Sequence, residues 1–129
     1  MLLDTHVIVW LSSSPSQISF GARSAIKKAQ ESGSELFISP VSLYEISFLA
    51  KRNRIQMDFP IEEFLFQITS KFQLKPITAR VAMEGVRFPP TFPGDPMDRI
   101  IAATALTEGM PLVTADERIR RSKVVKTIW

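Results

Sequence analysis

The sequence predicts an α/β fold: a three-layer α/β/α arrangement around a central, mostly parallel sheet of four to five short strands. Three observations predict it. Short apolar runs at residues 1–4, 36–39, 74–77, 112–114 and 124–128 alternate with helical stretches almost throughout, the pattern of a parallel sheet with helices on both faces and right-handed crossovers. The helical stretches carry start and stop signals, Ser39-Pro40 and Asp95-Pro96 at two beginnings and Gly33 and Gly109 at two ends, as capping and backbone geometry require. Acidic residues fall where strands end or helices begin, the edge at which ligands bind in such sheets.

Taken in order, residues 1–4 read as a strand that starts at the first residue and 5–11 as a short helix, which sets Asp4 at the junction. Ser12-Ser13-Ser14-Pro15-Ser16 is a loop. Ser19 caps a helix to about residue 32, with Ile26 and Ala29 inward and Lys27, Lys28 and Gln30 outward. After the strand at 36–39, Ser39-Pro40 opens a helix to about residue 52. On it Glu45 has Val41 four before, Phe48 three after and Leu49 four after, so helical periodicity sets this acid on an apolar stripe. The competing reading, a capping box with Ser42, is weakened by the helix start three residues earlier.

Residues 61–72 form an amphipathic helix carrying Ile61, Phe64, Leu65 and Ile68, 74–77 a strand, and 78–86 a helix with Val81 and Met83 as core candidates. The proline-rich connection at 88–94 is too short to link two domains. It leads into a helix over 96–108, on which Met97, Ile100, Ile101, Ala102, Ala103, Ala105 and Leu106 leave almost no wet face. Asp98 is then an acid on a mostly buried helix, where an ionised carboxylate needs a cation, a metal or good donors; the competing reading is an acid at N3 favoured only by the helix macrodipole and the free N–H groups of the first turn. Asp95 reads first as the cap of that helix. Asp116 lies just past the strand at 112–114, and the last strand is 124–128.

At 129 residues the chain is expected to form one domain over 1–129. Its 45% apolar and 22% charged residues are those of an ordinary globule. No apolar run approaches the roughly 18 residues of a membrane span. The first eleven residues lack a basic leader and contain Asp4, which argues against a secretory signal. Zero cysteines exclude a disulfide framework, a thiolate metal site and a cysteine nucleophile, and a cytoplasmic address fits. Net charge is +3, and residues 116–129 alone, with Arg118, Arg120, Arg121, Lys123 and Lys126, match that whole excess. Lys51-Arg52-Asn53-Arg54 is a second basic cluster. Basic patches beside buried acids suit a site that processes a polyanion.

Asp4, Glu45, Asp98 and Asp116 come from separate units yet sit at corresponding edges, so they can converge on one pocket. Clustered carboxylates repel and need protons or cations. Hard ions such as Mg²⁺ or Mn²⁺ prefer oxygen ligands and retain waters, and one or two of them orient a phosphodiester and activate a water. Metal-assisted hydrolysis of a phosphate ester is the reaction class that follows. Other chemistries are poorly supplied: the single histidine, His6, is expected to pack or hydrogen-bond beside the first acid, and no phosphate-binding glycine loop is present. Asp4-Thr5-His6 lacks the second Asp of aspartyl-phosphate phosphatases, and the acidic doublet of a phospho-acceptor domain is missing too.

Four stretches together resemble a family. Leu2-Leu3-Asp4-Thr5-His6, Ser42-Leu43-Tyr44-Glu45-Ile46, the run from Gly94-Asp95-Pro96-Met97-Asp98-Arg99 to Ala105, and Pro111-Leu112-Val113-Thr114-Ala115-Asp116 look like the four acidic motifs of PIN-domain ribonucleases, in particular the VapC-like toxins of toxin–antitoxin pairs. The resemblance spans essentially the whole chain. It implies that Asp4, Glu45, Asp98 and Asp116 bind Mg²⁺ or Mn²⁺ and carry catalysis, supported by the polar Thr5 and Thr114. It further implies RNA cleavage, a homodimer, and inhibition by an antitoxin whose tail fills or covers the pocket; no membrane association is expected from the short apolar runs. The third motif offers both Asp95 and Asp98; spacing to Ile101-Ala102 favours Asp98, with Asp95 a further candidate acid. Glu117 beside Asp116 poses the same choice. Arg99 either reaches a phosphate or pairs with an acid, and Lys51, Arg52 and Arg118 are the other candidate RNA contacts. The alternative function is a catalytically idle PIN-like module that grips RNA or a protein.

Overall fold

Leu2 and Leu3 are completely buried and, being consecutive in a strand, face opposite sides of the sheet. That two-residue strand, β1 (Leu2–Leu3), is the middle of the molecule. The structure, a computed structural model, describes residues 1–55 and 59–129. Among them five strands form one sheet in the order β3-β2-β1-β4-β5, where β2 is Phe37–Ile38, β3 Gln73–Leu74, β4 Leu112–Val113 and β5 Thr127–Ile128. Every pairing is parallel, with Leu2 opposite both Phe37 and Leu112, and Leu3 opposite both Ile38 and Val113.

This register separates two cores. Leu3, Ile38 and Val113 pack with Val7 and Ile8 of α1 (Thr5–Ser13), Ala22, Ile26 and Ala29 of α2 (Phe20–Glu31), and Phe64 and Ile68 of α4 (Ile61–Lys71). Leu2 and Leu112 pack on the other side with Val81 of α5 (Ala79–Arg87) and with Ile101, Ala102, Ala103 and Ala105 of α6 (Pro96–Thr107). The three-layer, parallel fold expected from the alternation is therefore the one observed. None of the described helices is long and apolar enough to cross a membrane.

Capping chemistry sets most boundaries. Ser19 Oγ accepts from Ala22 N–H at the start of α2, Thr78 Oγ1 from Val81 N–H at the start of α5, and Ser39 caps α3 (Pro40–Lys51) ahead of its proline. Gly109, at φ +64°, takes the left-handed conformation that stops α6 and turns the chain into β4. Gly85 is buried because α5 lies close on α6: a Cβ there would stand 3.4 Å from the Arg99 carbonyl oxygen.

Several expectations need correcting. Met83 is 53% exposed rather than core, because α5 buries only Val81 and Gly85 against α6. Leu106 is likewise exposed, so α6 keeps a wet edge near its end. The strands are shorter than expected, and the third is Gln73–Leu74, which leaves Ile77 outside it. Residues 117–122 form a helix, α7 (Glu117–Ser122), between the strands expected at 112–114 and 124–128, where the sequence predicts no element.

Leu3 reaches both neighbouring strands and the helices of one layer, so Leu3→Ala opens a cavity at the centre of that core. A loss of about 2–5 kcal/mol of unfolding free energy is expected, measured by urea denaturation monitored through Trp10 and Trp129; a loss below about 1 kcal/mol contradicts the central role given to this strand.

Candidate active site

At the carboxyl end of β1 the chain turns directly into α1, and Asp4 occupies the turn. Its side chain is buried and fully engaged: Oδ1 accepts from Thr5 N–H at 2.7 Å, and Oδ2 accepts from the Thr114 hydroxyl at 2.6 Å. His6 Nε2 accepts from Ala115 N–H at 2.9 Å, which leaves the ring proton on Nδ1, 3.5 Å from Asp4 Oδ2. The imidazole also rests against Trp10, with ring centroids 4.8 Å apart. His6 thus packs and orients beside the first acid, as its solitary occurrence suggested.

Thr114 is the hinge of the next element. While donating to Asp4, its Oγ1 accepts from Asp116 N–H at 3.1 Å. Asp116 then turns the chain into α7, its Oδ1 accepting from Arg118 N–H at 2.7 Å and Ile119 N–H at 3.1 Å. Asp95 does the same for α6, its Oδ1 accepting from Met97 N–H at 2.8 Å and Asp98 N–H at 3.3 Å. Three of the five acids are therefore helix caps, and in each the cap engages Oδ1.

Asp98 and Glu45 are not caps. Both are half-buried. The Asp98 carboxyl is pushed up to about 7 from 3.8, first by burial and then by the charges of Asp4, Asp95, Asp116 and Glu45. Burial also raises the Glu45 pKa; the Thr5 hydroxyl opposes the rise by hydrogen bonding, the charges of Asp4 and Asp95 add to it, and His6 opposes it. Thr5 Oγ1 also stands 3.1 Å from Ser42 Oγ, and its single proton serves one of these two neighbours at a time. The capping-box reading of Glu45 fails, because Ser39 caps α3 and Ser42 faces Thr5 instead. Nor does Glu45 lie on the stripe that α3 buries, which consists of Ser42 and Ile46; it flanks that stripe at the rim of the site.

Asp4, Glu45, Asp95, Asp98 and Asp116 are thus one electrostatic cluster, drawn from β1, α3, α6 and the turn after β4. Its side chains stand apart from one another: among the described residues, no three His, Cys, Asp or Glu side chains form a ready ligand set. Chemically the donors nevertheless suit a hard divalent cation, being all carboxylate oxygen. The repulsion that raises Asp98 is what such a cation relieves.

Other candidates sort differently. Among the described residues Arg99 pairs with no acid: its Nε donates to the Pro93 carbonyl at 2.9 Å, Nη1 to that of Gly85 at 3.1 Å and of Phe88 at 3.4 Å, and Nη2 to that of Phe92 at 3.5 Å. It ties the proline-rich connection to α5 and α6, a role hidden from the sequence because carbonyl acceptors carry no residue signature. Glu117 pairs with Arg121 at 2.9 Å on the exposed side of α7, which leaves Asp116 as the acid of that motif. Arg118 is exposed, 4.0 Å from Asp116 Oδ2. Lys51 and Arg52 are exposed at the end of α3. Ser42 enters the sequence reading only as a capping partner of Glu45; its contact with Thr5 has no local signal beyond a hydroxyl on the buried face of a helix.

The model of the PIN domain family matches residues 1–124. The chain belongs to the PIN-domain family. It is 39% identical over 131 residues to Ribonuclease VapC22 of Mycobacterium tuberculosis, a match covering 100% of this chain and 98% of that protein. Among solved structures it resembles a toxin–antitoxin complex from Klebsiella pneumoniae, with 26% identity and a TM-score of 0.61 over 89% of this chain and 85% of the other. It also resembles VapBC2 from Rickettsia felis bound to a DNA fragment from their promoter, with a TM-score of 0.73 over 98% and 95% of the two chains; at 14% identity that likeness concerns the fold alone.

Two outcomes follow from this PIN-domain site. Folded Asp98 keeps its proton up to about pH 7, whereas the unfolded chain releases it near 3.8. Stability of the metal-free protein therefore falls as pH rises across that window. Asp98→Asn should melt above the wild type at pH 8 and show a narrowing advantage towards pH 4; no advantage at pH 8 contradicts the crowding described above. Thr114→Val removes the hydroxyl that bridges Asp4 and Asp116, and chemical denaturation should register a loss of about 1–3 kcal/mol, whereas Thr114→Ser should retain most of the stability.

Proposed function

We infer that this PIN-domain protein is a metal-dependent endoribonuclease, the toxin of a toxin–antitoxin pair. The observation that supports the reading is the crowding of negative charge at one edge of the sheet, where burial and the charges of Asp4, Asp95, Asp116 and Glu45 hold the pKa of the Asp98 carboxyl at about 7. The relation to a ribonuclease over the full chain supplies the substrate class.

Asp4, Glu45, Asp98 and Asp116 would hold Mg²⁺ or Mn²⁺, with Asp95 at the margin. When bound, the ion supplies Lewis acidity, making a water nucleophilic and offsetting charge on the phosphoryl oxygens. The protein's own part is positioning. Thr5 N–H and the Thr114 hydroxyl fix the plane of the Asp4 carboxylate while leaving a lone pair on each oxygen. Burial of Thr114, Thr5 and Ser42 beneath the acids keeps that floor dry, which strengthens every charge interaction above it.

Lys51, Arg52 and Arg118 would hold the RNA backbone without reading sequence. An antitoxin partner is supported by the toxin–antitoxin complex among the structural relatives. The exposed Met83 and Val86 of α5 offer an apolar face for a second copy in a homodimer.

Cleavage of RNA should require Mg²⁺ or Mn²⁺ and stop on chelation. Asp4→Asn should lower the turnover rate by about 10²–10³-fold, the scale of losing a preorganised charge at the reacting phosphate. Cleavage that survives both treatments removes the proposal, and RNA binding without turnover under any divalent ion favours an idle binding module.

A further inference from the structure

Beyond the carboxylates, α3 carries a feature with no part in packing the core. Tyr44 and Phe48, four residues apart and therefore on one face of the helix, stack with ring planes 20° apart and centroids separated by 6.4 Å. Both are exposed, Tyr44 to 61% and Phe48 to 40%. The Arg52 guanidinium lies 4.3 Å from the centroid of the Phe48 ring, which extends the aromatic pair into a three-member stack. Tyr44, Ser47, Phe48, Lys51 and Arg52 line a shallow groove of about 500 Å³. Among the described residues, neither Lys51 nor Arg52 pairs with a carboxylate.

Position gives this stack its meaning. Tyr44 is next to Glu45 in the chain, and Phe48 follows Glu45 by three residues, about 4.5 Å along the helix axis. The stack therefore starts at the rim of the acidic site and leads away from it along α3. Flat rings with cations beside them are what an unpaired nucleotide requires: the base stacks on an aromatic face and the phosphate meets the positive charge. A protein partner covering an apolar face would have no need of two flanking cations, whereas a polyanion does.

We propose that Tyr44, Phe48 and Arg52 form a stacking subsite for an unpaired base of the RNA, about one or two nucleotides from the scissile phosphate, with Lys51 and Arg52 meeting the intervening backbone. The proposal rests on the ribonuclease reading above and narrows it to single-stranded segments. Duplex RNA keeps its bases stacked on each other and offers none to the rings. Phe48 also holds the Arg52 guanidinium in place, so the aromatic pair acts twice, as platform and as anchor for the cation.

The test separates binding from cleavage. Binding is measured on the full chain carrying Asp4→Asn, using a single-stranded oligoribonucleotide, the same oligonucleotide with one abasic position moved along it, and a duplex of equal length. Tyr44→Ala and Phe48→Ala should each weaken single-strand binding by about 10- to 100-fold, the usual effect of losing one base–aromatic stack. Phe48→Trp and Tyr44→Phe should retain it, and one abasic position should abolish the difference between Tyr44→Ala and its parent. Phe66→Ala, at an exposed ring on α4, should change nothing. Single-strand affinity unchanged by Tyr44→Ala and Phe48→Ala overturns the proposal. So does a loss of self-association or of a protein complex in sedimentation with RNA affinity intact, which would make the face a protein interface. Cleavage by the wild-type chain is assayed separately, so a protein that binds in this Tyr44-dependent way but never cuts contradicts the ribonuclease reading and leaves the subsite standing.

Discussion

Two hydrogen bonds in series, from Asp116 N–H to Thr114 Oγ1 and from the Thr114 hydroxyl to Asp4 Oδ2, join residues at opposite ends of the chain. They exist only because β1 and β4 are parallel neighbours with Leu3 opposite Val113, so that the residues that follow, Asp4 and Thr114, emerge side by side at one edge. Asp4 N–H donates to the Val113 carbonyl and Thr114 N–H to that of Ile128, and those bonds hold the edge in place. A threonine serves here where serine would be looser, since its branched side chain is stiff and it is completely buried.

The same edge explains how five carboxyl groups come to act on one another electrostatically. Asp4, Asp95 and Asp116 each give one oxygen to backbone N–H groups at a helix start. At α1 and α6 the helix dipole also favours a negative charge. Capping and site chemistry are therefore not alternatives: at Asp4 one oxygen serves the helix while the other meets Thr114 and His6. Among the described residues Asp98 and Glu45 cap no helix, and burial, the first cause in each, raises both of their pKa values. The site is a place where the fold gives up local stability, which natural proteins do where function requires it.

Arg99 shows how the proline-rich connection is held to the helices beside that edge. With Pro89, Pro90 and Pro93 unable to donate backbone hydrogen bonds, residues 88–94 have few ways to anchor themselves. The Arg99 guanidinium fork meets the need by donating to the carbonyls of Phe88, Phe92 and Pro93, while Phe92 packs 4.7 Å from Phe88, centroid to centroid. Asp95 is thereby delivered to the start of α6 with its cap already formed. A charged residue inside an acidic motif invites an electrostatic reading; its partners turn out to be main-chain oxygens.

By itself the sequence determined the layered parallel fold, the helix starts at Ser19, Ser39, Thr78 and Asp95, and the four acidic stretches, because apolar periodicity and capping are local properties written within a few residues. Strand lengths, the exposure of Met83 and Leu106, the short α7, the Thr5–Ser42 contact and the carbonyl partners of Arg99 were decided only by the tertiary structure. Each depends on which face of an element meets another, and that choice is made by residues distant in the chain. Asp98 stands between the two: its local setting, with Asp95 three residues before it, announced a strained acid, but the burial that chiefly raises its pKa and the charges of Asp4, Glu45 and Asp116 arise only when α6, α3, β1 and the turn after β4 are packed at one edge.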